Sequence, residues 1–277
     1  MKAIIFGAGQ TGEQVYTNIK DRYNVIGFLD GNIEKHGLSI MGVPILGGVE
    51  MLPLLEYDKI FIGTMFWKNV WDSLVDFGVK ENKIVVELPD DITSPVRNLW
   101  LKCYANLHKD EKYSVAEGGV YRGSFAAVIN QCFPNSKLYL FDTFSGFDER
   151  DVALERAKCY SEAEPHTFDN TSIELVMSKM VYPDKVEIHQ GFFPESACGI
   201  EDKFMFVNLD FDLYQPILEG LRFFYPKMVK GSVILIHDYY HTGLMGVKEA
   251  IKQYEQEIGV KIVKIPIGDN QSIALIA

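Results

Sequence analysis

Short apolar runs alternate with amphipathic, helix-compatible segments along the whole chain, the pattern of parallel strands buried on both faces by helices. In the first third the strands read as 2–6, 25–30, 59–63 and 83–87, and the helices as 13–20, 49–55 and 68–77. Two prolines and two acids in LPDDITSP, residues 88–95, interrupt this rhythm and predict a domain boundary. A helix over 95–108 follows, with Leu99, Trp100, Cys103 and Leu107 as its apolar side and a face or edge of the next domain as its resting place. Beyond it, strands are predicted at 114–117, 137–142, 184–189, 204–212, 232–238, 261–266 and 271–276. Helices fall at 124–132, at 171–180 behind a capping box begun by Thr171, at 217–225 and at 246–258. The last two strands form a hairpin through Gly268-Asp-Asn270 that closes an otherwise parallel sheet of seven strands. Residues 143–170 are polar and aperiodic, and read as a lid or an exposed loop. The expected fold is α/β, two Rossmann-like doubly wound domains: 1–88, a linker and covering helix over 89–111, and 112–277.

Composition narrows the function classes. The 277 residues are 47% hydrophobic and 23% charged, an ordinary globular balance, with a net charge of -11 spread along the chain. Without a basic stripe to neutralise phosphates, nucleic acid and anionic membrane surfaces are poor partners. No stretch reaches the length of a membrane span. Cys103, Cys132, Cys159 and Cys198 make no CxxC pair, so they read as buried or incidental thiols of a reducing compartment, and a cytoplasmic protein is expected.

Candidate chemistry sits where strands end. Gly7-Ala-Gly-Gln-Thr-Gly12 lies between a strand and a helix, and Asp30 ends the next strand 18 residues after Gly12. Glycines Gly7, Gly9 and Gly12 allow a tight turn and close approach to an anion, and Asp30 is placed to bond a ribose, which makes a nucleotide, a nucleotide-sugar or NAD the candidate ligand and an empty structural domain the alternative. The second domain repeats the theme: Glu117-Gly-Gly-Val-Tyr-Arg-Gly123 follows a strand, and Asp142 ends the next one 19 residues beyond Gly123. Without GxGxxG spacing, that loop suits a nucleoside cofactor other than a dinucleotide. Gln190 and Gly191 enter a loop able to surround its base. Asp210 and Asp212 end one apolar run, on one side of an extended strand by alternation, and His237 and Asp238 end another, so four oxygen or nitrogen ligands are expected at one sheet edge.

Two resemblances add to this reading. The stretches Gly27 to Asp30, Gly42 to Gly47 and Tyr57 to Ile62 resemble the amino-terminal nucleotide-binding domains of bacterial polysaccharide and nucleotide-sugar modifying enzymes. From Glu117-Gly-Gly-Val-Tyr-Arg-Gly-Ser-Phe-Ala126 through Leu138 to Phe147, Gly191 to Ser196, Leu209-Asp-Phe-Asp-Leu-Tyr-Gln-Pro216 and His237-Asp-Tyr239, the chain over 112–277 resembles the macrocin O-methyltransferase family. That resemblance implies a class I S-adenosylmethionine-dependent methyltransferase fold, a sugar hydroxyl as acceptor and a divalent metal, usually Mg. By position, Asp210 and Asp238 match metal-binding acids and Asp212 a general base. His237 stands where the family has aspartate. Imidazole coordinates metals but hard Mg prefers oxygen, which leaves Mg, Mn or Zn held by Asp210, His237 and Asp238, or a metal-free His237 base, as alternatives.

In the mechanism so implied, Gly119 and the loop to Gly123 approach the methionine part, Glu117 meets its amino group, Asp142 holds ribose hydroxyls, and Asp212 or His237 takes the acceptor's proton. A carboxylate with a pKa of ~3.9 is a poor base for a free alcohol, so metal polarisation matters most if Asp212 is the base. Methyl transfer to nitrogen or carbon, another sugar modification, and a non-catalytic nucleotide-binding assembly or sensing protein are the competing functions. A small sugar-containing substrate and a homo-oligomer, such as a dimer, are the expected partners.

Overall fold

The computed structural model describes residues 1–64, 66–86 and 93–277, with Gln10 described in its backbone only. Two compact units divide the chain, Met1–Ile92 and Thr93–Ala277. The first contains β1 (Lys2–Phe6), α1 (Gln10–Ile19), β2 (Asn24–Leu29), β3 (Ser39–Ile40), β4 (Val43–Gly47), β5 (Lys59–Ile62), α2 (Trp67–Asp76) and β6 (Ile84–Val85). Its sheet runs β3-β4-β2-β1-β5-β6, parallel except for the β3–β4 pair. Ala3, Ile5, Val15, Ile19, Phe28 and Phe61 fill a core between sheet and helix.

Three local readings change. Helix α1 starts at Gln10, inside the glycine motif, rather than at residue 13. A Cβ on Gly12 would lie 2.0 Å from the Gly7 carbonyl oxygen, so glycine there lets the first turn begin against the loop. Val49–Leu54 is a 3-10 turn and not an α-helix; Pro53 inside it has no N–H to donate. Strand β4 had no sequence counterpart: its Val43-Pro-Ile-Leu-Gly47 looks like a turn because glycines and a proline frame only two buried apolar positions. Residue 87 of the last predicted strand and residues 88–92 of the predicted linker lie outside the described residues.

The second unit contains α3 (Pro95–Leu107), β7 (Ser114–Gly118), α4 (Ser124–Cys132), β8 (Leu138–Asp142), α5 (Glu149–Lys158), α6 (Ile173–Ser178) and β9 (Val186–Gln190). It continues with β10 (Phe204–Leu209), α7 (Tyr214–Phe224), β11 (Met228–Ile236), α8 (Met245–Ile258), β12 (Val263–Pro266) and β13 (Ile273–Ile276). Strand order is β12-β13-β11-β10-β7-β8-β9, with β13 antiparallel to both β11 and β12 and the rest parallel. The seven-stranded sheet with its closing hairpin is the one the apolar pattern predicts.

One apolar layer, with Phe141, Phe193, Phe204, Leu221 and Phe224, covers one face of this sheet; another, with Leu101, Phe125, Ile129, Phe206 and Leu235, covers the other. Every residue of β10 is buried. Truncating Phe206 in that strand would cost about 3–5 kcal/mol, since its ring packs near Trp100, Tyr104 and Phe133.

Helix α3 corrects the predicted apolar side. Leu99, Cys103 and Leu107 are exposed, while Arg97, Leu101, Tyr104 and Ala105 are buried and the Tyr104 hydroxyl donates to the Met205 carbonyl at 2.7 Å. The stripe 97, 101, 104, 105 is also helical in period, but an arginine at its head disguises it. The aperiodic segment 143–170 holds α5, N-capped by Asp148 and carrying buried Asp151, Val152 and Glu155, a face too polar to register as amphipathic. Helix α6 is capped by Ser172, one residue later than predicted, because the Thr171 hydroxyl donates to the Tyr121 carbonyl instead. Strand β11 begins at Met228, four residues before the predicted strand 232–238, so Lys230 and Gly231 are an irregularity within it, where the pairing shifts between Met228 and Val233. Cys159 and Cys198 are also exposed, contrary to buried thiols, and all four cysteines are free. No helix among the described residues is long and apolar enough to cross a membrane.

Candidate active site

Parallel register brings three strand ends together: Leu209 pairs with Gly118 on one side and with Ile236 on the other. The residues that follow these ends meet in the crevice beyond the sheet's carboxyl edge, the usual ligand position in such folds. There Asp210, Asp212, His237 and Asp238 each offer a ligand atom, all within 4.8 Å of one another. The sequence foresees this convergence for a different reason. Strand β10 stops at Leu209, so Asp210 and Asp212 are not alternating strand residues; a left-handed backbone at Asp212, φ 63°, turns its carboxyl back toward the group. Asp238 uses the same device, φ 54°.

His237 Nδ1 pairs with Asp210 Oδ1 at 2.8 Å and hydrogen-bonds Asp238 Oδ2 at 2.9 Å, and Nε2 faces Gln271 Oε1 at 2.9 Å. Burial pulls the imidazole's pKa down, but the Asp210 and Asp238 carboxylates outweigh it and push it up to about 11. Burial likewise raises Asp210, yet His237 and Arg97 hold its carboxyl at about 2. Asp212 goes the other way: burial first, then its hydrogen bond with Asp238 and the charge of Asp210, push it well above the ordinary carboxyl range. Three acids, one of them reluctant to ionise, crowd one imidazolium. That donor set fits a divalent cation, because an added positive charge would relieve Asp212 and the carboxyl oxygens are hard ligands.

The cofactor residues surround an adjoining loop. Glu117, 2% exposed near the end of β7, accepts from Asn208 Nδ2 at 2.9 Å through Oε1. Burial and the neighbouring Asp210 charge raise its pKa, and Arg97 pulls it back. Gly119 has φ 80°, and a Cβ there would lie 2.0 Å from the Asp210 carbonyl oxygen; Asp210 N donates to Gly118 O at 2.8 Å. Gly123, also left-handed, opens α4. Asp142 Oδ2 accepts from the amides of Val120 and Tyr121 at 2.7 and 2.9 Å, and Oδ1 from Phe144 at 2.7 Å, so this acid holds the loop's shape as well as facing it. Gln190 is exposed with Nε2 3.5 Å from Thr143 O, and Gly191 N donates to Asp142 O at 2.9 Å.

Arg97 is one of three site residues that sequence reasoning missed. Its Nη1 lies 3.1 Å from Asp210 Oδ2 and its guanidinium 4.0 Å above the Phe125 ring. The available signal was its register with Leu101, Tyr104 and Ala105. Gln271 and Asn208 were missed too, the first on a hairpin, the second inside an apolar strand.

In the first unit the glycine loop forms as predicted, with Gly7 N donating to Leu29 O at 2.7 Å and a Cβ on Gly7 meeting Gly63 O at 2.5 Å; Gly9 precedes α1 with open space around it. Asp30 Oδ2 accepts from Ala8 N at 2.8 Å and from Lys35 Nζ at 2.9 Å, and Oδ1 from Asn32 N at 2.8 Å. The acid assigned to a ribose thus ties the loop to a lysine.

Residues 102–271 match the family described as Macrocin-O-methyltransferase (TylF). The chain belongs to the macrocin-O-methyltransferase family. It is accordingly an S-adenosylmethionine-dependent O-methyltransferase, as its sequence resemblance implies. Residues 1–85 match the family described as C2185-like, N-terminal. Similar solved structures bear out the fold of this macrocin-O-methyltransferase relative. The O-methyltransferase NovP has a TM-score of 0.53 at 19% identity, over 65% of this chain and 79% of that one. Calicheamicin methyltransferase CalS11 has 0.51 at 17%, over 65% and 78%. No curated protein matches the chain.

Proposed function

We propose that this family member methylates a hydroxyl of a sugar, in a nucleotide-sugar, a polysaccharide precursor or a glycosylated metabolite, with help from a divalent cation. The observation that carries the reading is the convergence of Asp210, Asp212, His237 and Asp238 within 4.8 Å, directly beside the Gly118–Gly119 backbone. Asp210 and Asp238 would hold the cation, whose charge would favour the ionised form of Asp212 and which when bound supplies polarisation that lowers the pKa of an acceptor hydroxyl. CalS11, a similar fold, is a calicheamicin methyltransferase, and a glycosylated acceptor suits a polar, acid-lined crevice.

The chain's own residues do the rest. The glycine loop positions the donor for in-line attack, and orientation supplies much of the acceleration. Asp212 accepts the acceptor's proton. His237 is a poor candidate for that task, because both its ring nitrogens already face side-chain oxygens, Nδ1 those of Asp210 and Asp238 and Nε2 that of Gln271. It serves as a fixed positive charge that keeps both carboxylates ionised.

Incubating the full chain with S-adenosylmethionine and candidate nucleotide-sugars, with and without a chelator, tests this. Methyl transfer to a sugar oxygen is expected from wild type, with a loss of at least 100-fold in Asp210→Asn and on chelation, and recovery on adding back Mg or Mn. Transfer to nitrogen or carbon would refute the acceptor class, and full activity of the chelated enzyme would refute the cation.

A further inference from the structure

Beside the acid cluster stands a lysine that no ion pair accounts for. Lys248 is half-buried in the first turn of α8, the end at which a helix dipole disfavours a cation. Its neighbours take carboxylate partners: Lys252 bonds Glu249 at 3.3 Å, and Lys261 reaches Glu255 at 3.0 Å. Lys248 pairs with no carboxylate among the described residues. Its ammonium instead lies 5.4 Å from the ring centre of Tyr239 and 6.0 Å from that of Tyr240.

The two rings are fixed to the site. Tyr239 follows Asp238 directly and meets Tyr240 edge to face, with ring centres 5.0 Å apart at 88°. Tyr240 N donates to Gln271 O at 3.3 Å and His241 N to Asp238 O at 3.0 Å, while the Gln271 side chain faces His237. The loop that carries the rings is therefore tied to the acids on one side and to the hairpin on the other. Tyr239 is half-buried and Tyr240 is 40% exposed, so ring surface next to the ammonium is open to a ligand.

We propose that Lys248 binds a phosphate carried by the acceptor sugar while Tyr239 and Tyr240 pack against the ring next to that phosphate. The acceptor is then a sugar phosphate or a nucleoside-diphosphate sugar rather than a neutral glycoside. This narrows the sugar reading above and rests on it. The three acids of the crevice repel an anionic acceptor, so its phosphate requires a cation that their carboxylates do not already hold. Lysine suits that task as a point charge, and its flexible stem lets the ammonium leave the rings for the ligand. A neutral glycoside has a use for the rings and none for the ammonium.

Initial rates on the full chain test this, with S-adenosylmethionine, Mg and a set of hexoses, each offered as its UDP- or dTDP-sugar, its 1-phosphate and its methyl glycoside. Wild type should use the phosphorylated forms with a kcat/KM about 10–100-fold above that of the matching glycoside, the span of a hydrogen bond to a charged group. Lys248→Met should remove that advantage through KM and leave the glycoside within about twofold, and Lys248→Arg should restore most of it. Affinity for S-adenosylhomocysteine should be unchanged in both variants. A nucleotide form that outdoes the 1-phosphate, by a margin that Tyr240→Ala removes, assigns the rings to the base; equal values assign them to the sugar. Glycosides used as well as phosphorylated sugars by wild type, or equal loss of both in Lys248→Met, would overturn the assignment. Folded wild type that binds S-adenosylhomocysteine but methylates no sugar in any form would instead remove the sugar reading itself.

Discussion

Gly119 shows how narrowly a single position is defined at this site. Its φ of 80° alone would cost a side-chain-bearing residue about 1–2 kcal/mol. Worse, the Cβ would press on the Asp210 carbonyl oxygen, and backbone cannot swing aside as a flexible side chain can. Gly119→Ala should therefore lower Tm by about 2–8 °C, read by calorimetry, and weaken S-adenosylhomocysteine at least tenfold by shifting Asp210. An unaltered affinity would show that the loop does not depend on this contact. The residue identities were legible from the sequence because glycines and acids at strand ends are chemically conspicuous. Arg97 was not: an arginine at the head of a helix reads as solvent-facing, and only the fold reveals that Phe125 and Asp210 receive it.

At the scale of elements, strands were easier to read than the segments between them. Strand β10 announces itself by an unbroken apolar run, but α5 hides in polar sequence because its inward face carries Asp151 and Glu155 beside Val152. Glu155 is tied down by Tyr214 N at 2.6 Å and the Ser161 hydroxyl at 2.7 Å, which explains how an acid can face inward on α5 toward α7. Asp151 is less well served. Burial, then the charges of Asp148, Glu155 and Glu219 against the pull of Arg150, raise its carboxyl to about 7. A carboxyl that keeps its proton in the folded chain and loses it near 3.8 when unfolded contributes stability that is whole below about pH 4, declines as pH rises and is gone above about 7. Asp151→Asn removes that decline. Its thermal midpoint should match wild type near pH 4 and exceed it at pH 8; a variant that is no more stable at pH 8 than wild type would contradict the buried-acid account of α5.

For the whole molecule, the seven-strand order and its hairpin were readable because each strand's pattern is local and right-handed parallel crossovers leave few arrangements. The first unit was less legible: β3 is two residues long, too short for any periodicity, β4 carries a proline, and of the strand predicted at 83–87 only Ile84–Val85 among the described residues form β6. The division of labour follows from where the site residues come from. Arg97, Glu117, Gly119, Asp142, Asn208, Asp210, Asp212, His237, Asp238 and Gln271 all lie in Thr93–Ala277, which has cores on both faces of its own sheet. A unit of 185 residues with two packed layers has enough buried surface to fold independently. Expressed alone, residues 93–277 should unfold cooperatively and bind S-adenosylhomocysteine within about threefold of the full chain. Should methyl transfer to a sugar acceptor fall in this truncated form while donor affinity holds, the first unit, with its glycine loop locked by Asp30 and Lys35, is assigned to the acceptor. Loss of donor binding in a folded 93–277 fragment would instead overturn the assignment of the whole donor site to the second unit.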